Sequence, residues 1–285
     1  MRGPKPAPII RGTIARVQHS DHATNTTIDT GRVELADRRL EYVRIAPAVS
    51  QATPIVLLHE GLGCVALWRE FPARLAEATG REVVVYSRRG YGRSSPVALP
   101  RTNDYLEGDG RRELNDVLDA LAVDEAIPIG HSDGATIALA AAAHDTRGRF
   151  PAIAAMAPHV FVESISREAV RAVVARYETG DLRARLARHH GDNVEGAFRG
   201  WSDTWLRADF ADWDITASLA GIRCPTLVVQ GRNDAYGSSV HMRRIAAAVA
   251  GPCRCRLLAR CGHIPHAERS QTTLAVIARF LEGID

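Results

Sequence analysis

The sequence is short of lysine, of long apolar runs and of paired cysteines, and each shortage narrows what the chain can be. Lysine occurs once, at Lys5, so nearly all of the 36 basic residues are arginine. With the abundant alanine this points to GC-rich, bacterial coding and carries no chemistry of its own. Acidic residues number 33, the formal net charge is only +3, and the two signs are mixed along the chain. No basic block or ribbon of aromatic and basic residues is present, which argues against a nucleic-acid partner. No apolar run approaches the roughly 20 residues needed to span a bilayer. Residues 1–20 carry basic side chains but no continuous apolar stretch of the kind that marks a secretory leader. The expectation is a cytoplasmic protein with no membrane partner. The five cysteines, Cys64, Cys224, Cys253, Cys255 and Cys261, form no paired C-x-x-C units with a histidine at zinc spacing. They read as small buried hydrophobes in a reducing compartment. The His189-His190 pair has no nearby third ligand, so neither a metal nor another cofactor is expected.

What is present is alternation. Runs at 31–35 and 39–45, joined by Ala36-Asp37-Arg38, read as a β-hairpin. The unbroken apolar run 54–58 reads as a strand buried on both faces. A helix at about 65–79, a strand at 82–86 and a helix at about 103–122 follow. Then come a strand ending at Ile129, a helix from Ala135 and a strand at 151–157. After an interruption, a strand at 224–230, a helix at about 239–250, a strand near 254–259 and a helix at about 271–282 close the series. Strands alternating with helices imply an α/β fold, a mostly parallel central sheet with helices on both faces. The interruption, 160–218, carries helical patterns at 167–174 and 182–188 and three of the four tryptophans, Trp201, Trp205 and Trp213. It is expected to be a helical cap. The organisation is thus an N-terminal arm at 1–25, a core at 26–159 and 219–285, and a cap at 160–218.

Gly130-His131-Ser132-Asp133-Gly134 lies between a strand and a helix. A serine on such a sharp turn is forced outward, where its hydroxyl can attack, and glycines on either side give the crowded backbone room. A serine hydroxyl needs a base, and the base needs a carboxylate to orient it. On this kind of sheet both should follow the serine in the chain, at the carboxyl ends of later strands. Asp234 follows the strand ending at Gln230, and His263 follows the strand near 254–259, so Ser132, Asp234 and His263 are the candidate nucleophile, acid and base. Glu163 is the weaker choice of acid and His266 the weaker choice of base. His131 reads as a packing residue, because neighbours on a strand-like turn point apart.

At this point the chain resembles the α/β-hydrolase family from about residue 25 onward, in particular its small serine esterases with a helical cap. His59-Glu60-Gly61-Leu62-Gly63 is similar to the family's oxyanion loop, and Ser87-Arg88-Arg89-Gly90-Tyr91-Gly92-Arg93-Ser94 to its D-x-R-G-x-G-x-S stretch. Cys261-Gly262-His263-Ile264-Pro265-His266-Ala267-Glu268 is similar to its G-H-x-P-H-x-E closing motif. The resemblance implies an oxyanion hole from the backbone N–H groups of Asp133 and Gly61, with Leu62 as substitute for the second. Two departures stand out: Glu60 where the family has glycine, and Ser87 where it has aspartate. A carboxylate beside an oxyanion hole opposes the developing charge unless it points away or is paired. Glu60 is therefore read first as turned toward an arginine, and second as a substrate contact. His159, Phe161, Trp201 and Trp205 are the other candidate pocket residues.

The expectation is a cofactor-independent serine hydrolase acting on a small carboxylic ester or lactone through an acyl-enzyme. Cleavage of a C–C bond in a dienoic diketone, or other chemistry on the same triad, remains open, as does a ligand sensor that turns over slowly. Haloalkane dehalogenase and epoxide hydrolase chemistry in their usual form need an aspartate where Ser132 stands.

Overall fold

The computed structural model describes residues 14–15, 26–50 and 52–284. The expected arm over 1–25 therefore lies outside the described residues, apart from a two-residue strand, β1 (Ile14–Ala15), which pairs antiparallel with Asp29 and Ile28. Strands β2 (Thr27–Glu34) and β3 (Arg39–Ala46) form the expected antiparallel hairpin. The first of them begins earlier than its alternation indicated, because its opening residues Thr27–Thr30 are largely polar and half-exposed.

Six further strands follow: β4 (Ile55–Leu58), β5 (Val83–Tyr86), β6 (Ile127–His131), β7 (Ile153–Met156), β8 (Thr226–Gly231) and β9 (Cys253–Leu258). The sheet order is β1-β2-β3-β5-β4-β6-β7-β8-β9, and it is parallel from β5 through β9. Strands that point apolar residues to both faces need cover on both, and they have it. Ile55, Leu57, Val83 and Val85 pack beneath helices α1 (Phe71–Thr79) and, at the C-terminal end of the chain, a helix over Ser270–Leu281. Val56, Leu58, Val84 and Tyr86 pack on the opposite face with α2 (Arg111–Ala120) and α3 (Asp133–Ala143). The helix expected at 65–79 is two pieces. A 3-10 turn over Val65–Trp68 ends at Arg69, whose φ is 53°, and α1 starts afresh with Pro72 in its first turn. Proline lacks the N–H that a helix interior requires, so it sits where that donor is unused.

Between β7 and β8 the chain forms α4 (Ser164–Thr179), α5 (Leu182–His190) and α6 (Val194–Leu206). An isolated antiparallel bridge, Phe161 to Asp214, ties the two ends of this helical insert together. The core resumes with β8, α7 (Val240–Ala248), β9, the single turn α8 (Pro265–Glu268) and α9 (Ser270–Leu281). None of the described helices is long and apolar enough to cross a membrane.

Topology places the site. From β4 the chain moves to β5 on one side, and from β6 to β7 on the other. The loops that leave the adjacent strands β4 and β6 thus flank a crevice at their carboxyl ends. Ser132 sits at that point with φ 53° and ψ −117°, a conformation that strains any residue but glycine. The strain is held by crowding. A methyl group on Gly130 would overlap the backbone of Gly134, and one on Gly134 would overlap the carbonyl of Leu58. The Ser132 N–H donates to the Met156 carbonyl at 2.9 Å, fixing the turn to β7. Gly134→Ala is therefore expected to lower the stability measured by urea denaturation by about 3 kcal/mol or more; a loss under about 1 kcal/mol would mean that the turn can relax.

Candidate active site

Three loops bring Ser132, His263 and Asp234 into line. The Ser132 Oγ lies 3.0 Å from Nε2 of His263, and Nδ1 of the same ring lies 2.9 Å from both carboxylate oxygens of Asp234. Asp234 follows β8 and is almost fully buried. The backbone N–H groups of Tyr236 (2.8 Å) and Gly237 (3.3 Å) donate to its Oδ1, and the Gln230 amide to its Oδ2 at 2.6 Å. Burial alone would raise its pKa, but the His263 ring and the Tyr236 N–H outweigh it and hold the carboxyl below its ordinary range. Asp234 is thus a fixed carboxylate that accepts the Nδ1 proton, which leaves Nε2 with its lone pair toward the serine. The Tyr236 ring packs against the His263 ring at 4.6 Å.

The backbone around His263 is held on both sides. Glu268, one turn on in α8, accepts the N–H of Gly262 at 2.6 Å and that of Ile264 at 2.9 Å. His131 Nε2 lies 2.7 Å from the His263 carbonyl, to which it must donate. The side chain expected only to pack therefore joins the residue before Ser132 to the loop that carries His263. Glu163 meets the Ser238 backbone and hydroxyl and His241 instead of His263. His266 is packed among Trp68, Phe71 and His131, away from the serine.

On the other side of Ser132 lies the loop after β4. The His59 Nδ1–H donates to the Glu60 carbonyl at 2.7 Å, and its Nε2 accepts the Arg88 N–H at 3.0 Å. The Arg88 guanidinium, itself buried, donates to the Glu60 carbonyl at 3.0 Å. His190 in α5 donates from Nε2 to the Leu62 carbonyl at 3.1 Å and accepts the Gly92 N–H on Nδ1 at 3.0 Å. Both its nitrogens are committed, which removes it as a metal ligand. Gly61 lies directly beneath the Trp201 indole, with no room for a side chain between them. Gly61, Leu62 and Asp133 all border the cavity at Ser132, and among the described residues their N–H groups donate to no loop carbonyl. Asp133 also opens α3, so a partial positive charge accompanies its N–H.

The cavity in front of Ser132 measures about 400 Å³. Glu60, His159, Trp201 and Trp205 border it, as do Tyr236, Ser166, Val170 and Ile264. Phe161 does not: its ring packs on His241 at 4.4 Å, under the Arg244 guanidinium, at the foot of the insert. The carboxylate of Glu60 does not turn to an arginine as first expected. Only its carbonyl meets Arg88, while Oε2 lies 3.5 Å from Nδ1 of His131. Burial would raise the Glu60 carboxyl, but the His131 ring beside it outweighs this and holds the group below its ordinary range. A buried chain runs from the insert to the nucleophile helix: the Trp205 indole N–H donates to the Tyr105 hydroxyl at 2.9 Å, which donates to Asp133 at 2.9 Å.

The sequence profile of the alpha/beta hydrolase family matches residues 55–276, from β4 into α9. The chain belongs to this family. A candidate carbamate hydrolase of Variovorax paradoxus, RutD, is 30% identical over 235 residues, covering 73% of this chain and 83% of its own. The crystal structure of the enol-lactonase from Burkholderia xenovorans LB400 superposes with a TM-score of 0.69 at 23% identity, over 88% of this chain and all of that one. The 2-hydroxy-6-oxo-6-phenylhexa-2,4-dienoate hydrolase of Rhodococcus sp. strain RHA1 superposes with a TM-score of 0.73 at 16% identity, over 90% of this chain and 99% of that one. At these identities the two structures establish a common fold.

This alpha/beta hydrolase compensates for Ser87 from another strand. The Ser87 hydroxyl donates at 2.8 Å to Glu41 in β3, whose carboxylate also accepts the Arg93 N–H at 3.0 Å. Glu41 thus brings to this turn the carboxylate that position 87 lacks. Sequence reasoning missed Gln230, Tyr236 and Tyr105. Gln230 carried a signal, a polar residue closing an otherwise apolar strand, whereas Tyr105 sits in an unremarkable π-helical stretch, Tyr105–Gly110.

Burial holds five histidines below the ordinary range: His159 and His266 to about 3, His241 to about 4, with His59 and His190 also lowered. The unfolded chain then binds more protons than the folded one between about pH 4 and 6.5, so stability is complete above that window and falls as pH drops through it. Asp133 and Glu113, raised by burial, oppose this only toward its lower end. Urea denaturation between pH 7 and 5 is expected to show uptake of about three or more protons on unfolding, roughly 4 kcal/mol per pH unit. A flat profile would mean that these rings are protonated in the fold.

Proposed function

We propose that this alpha/beta hydrolase is a serine hydrolase that opens a small carboxylic ester or lactone through an acyl-enzyme on Ser132. The observation that carries the reading is the unbroken line Ser132 Oγ, His263, Asp234, at 3.0 and 2.9 Å. As Oγ adds to the carbonyl carbon, its proton passes to Nε2 of His263, and Asp234 stabilises the imidazolium that forms. The oxyanion is received by the N–H groups of Asp133 and Gly61, or of Leu62 in place of the second; one such donor contributes a factor of about 10² to 10³. Collapse of the tetrahedral species breaks the C–O bond, and the leaving alkoxide takes the proton from His263. Water then adds to the acyl carbon while His263 accepts its proton, and the acid departs as Oγ regains its hydrogen.

Among the described residues no lysine or arginine borders the cavity. The dienoate on which the Rhodococcus enzyme acts carries a carboxylate, and a carboxylate buried without a counter-ion is costly. This favours ester or lactone hydrolysis over cleavage of a dienoic C–C bond. All five cysteines are free thiols, which fits a reducing cytoplasm.

Ser132→Ala is expected to lower hydrolysis of short p-nitrophenyl esters by about 10⁴-fold or more, and Asp234→Asn by about 10⁴-fold, with the fold intact by circular dichroism. Near-normal turnover by the serine variant would sink the mechanism. Labelling of Ser132 by a fluorophosphonate without turnover of any ester would point to a sensor.

A further inference from the structure

Glu60 has no evident reason to be where it is. The carboxylate borders the cavity one residue before Gly61, and among the described residues no backbone N–H or arginine is seen to donate to it. Its Oε2 lies 3.5 Å from Nδ1 of His131. That ring is already committed, because its other nitrogen must donate to the His263 carbonyl at 2.7 Å. When the ring is neutral, Nδ1 turns a lone pair toward Glu60; only an imidazolium, with a proton on each nitrogen, answers the carboxylate, across a long 3.5 Å contact. The other carboxylates of residues at the cavity are answered, Glu268 by two backbone N–H groups and Asp133 by the Tyr105 hydroxyl. The remaining walls include the rings of Trp201, Trp205 and Tyr236, whose faces attract a cation, and no lysine or arginine among the described residues.

We infer that the substrate carries a protonated amine close to the scissile carbonyl, an α- or β-amino acyl ester, and that Glu60 is its counter-ion. The placement follows from chain geometry: adjacent Cα atoms are about 3.8 Å apart, so a carboxylate on residue 60 stays within one or two residues' reach of an oxyanion held by Gly61 or Leu62. The same geometry makes Glu60 selective for the reaction and not for binding alone. With a neutral acyl group, its charge opposes the oxyanion as it forms. With an ammonium between them, that opposition is cancelled and the transition state gains an attraction. The selectivity therefore enters kcat as well as KM.

This inference rests on the serine-hydrolase reading, and the experiment separates the two. Wild-type protein is assayed at pH 6.5 with three benzyl esters of similar size: alanine benzyl ester (cationic), benzyl propanoate (neutral) and benzyl hydrogen malonate (anionic). The expected order of kcat/KM is cationic, neutral, anionic, with at least a tenfold first step. In Glu60→Gln the cationic-to-neutral ratio should fall toward one. A second measurement needs no variant: benzylammonium should protect Ser132 from fluorophosphonate labelling and benzoate should not. Labelling of Ser132 with equal turnover of the cationic and neutral esters would overturn the inference alone, and would mean that a protonated His131 answers Glu60. An unchanged ratio in Glu60→Gln would overturn it equally. Failure to label Ser132 at all would remove the hydrolase reading, and this inference with it.

Discussion

The site depends on a close approach of backbones. Strand β6 turns into α3 so tightly that Gly134 meets the Leu58 carbonyl of the neighbouring strand and Gly130 meets Gly134 itself. Only bare Cα atoms fit there, and their contact forces Ser132 into its positive φ. Three consequences follow from this one crossing. The hydroxyl stands clear of the sheet, the N–H of Asp133 points out of the first turn of α3, and the loop after β4 is brought beside both. The energy stored in the turn is met by the packing of two buried faces, β4 contributing alternate residues to each and β6 adding Ile127 and Ile129 to one.

Around that turn the protein uses histidine as a rigid two-ended connector. His59 joins the loop after β4 to Arg88, and His131 joins the nucleophile turn to the loop of the base. Each is a ring whose hydrogen-bond partners dictate where the proton sits, and a neutral imidazole suits this use because it offers one donor and one acceptor in a fixed plane. Against that background Glu60 is the exception, a carboxylate set 3.5 Å from the far nitrogen of one of these rings.

Much of this was legible in the sequence, for identifiable reasons. Apolar runs buried on both faces announce themselves, and the order serine, acid, histidine at successive strand ends follows from a sheet whose loops gather at one edge. Asp234 and His263 were thus picked from position alone, and the fold brings both into line with Ser132. What escaped was set by contacts between distant segments. No local pattern shows that His131 reaches the carbonyl of His263, that Glu41 answers Ser87, or that Tyr105 links Trp205 to Asp133. Phe161 was misplaced because leaving the strand beside His159 does not settle which way a ring turns once the insert folds back over it. Glu60 was misread toward arginine because charge pairing was sought for its side chain, when the arginine present takes its carbonyl.

His190 gives the insert a meaning beyond that of a pocket wall. Its ring belongs to α5, yet it holds the Leu62 carbonyl and the Gly92 N–H, both in the core. Trp201 of α6 presses on Gly61 from above. The loop after β4 is therefore finished by residues of the insert, and the two cannot be treated as separate modules. Grafting another relative's insert onto this core would change the supports of the loop beside Ser132 together with the cavity wall. In divergence, a change of substrate through this region must drag the chemistry along with it or leave His190 and Trp201 untouched.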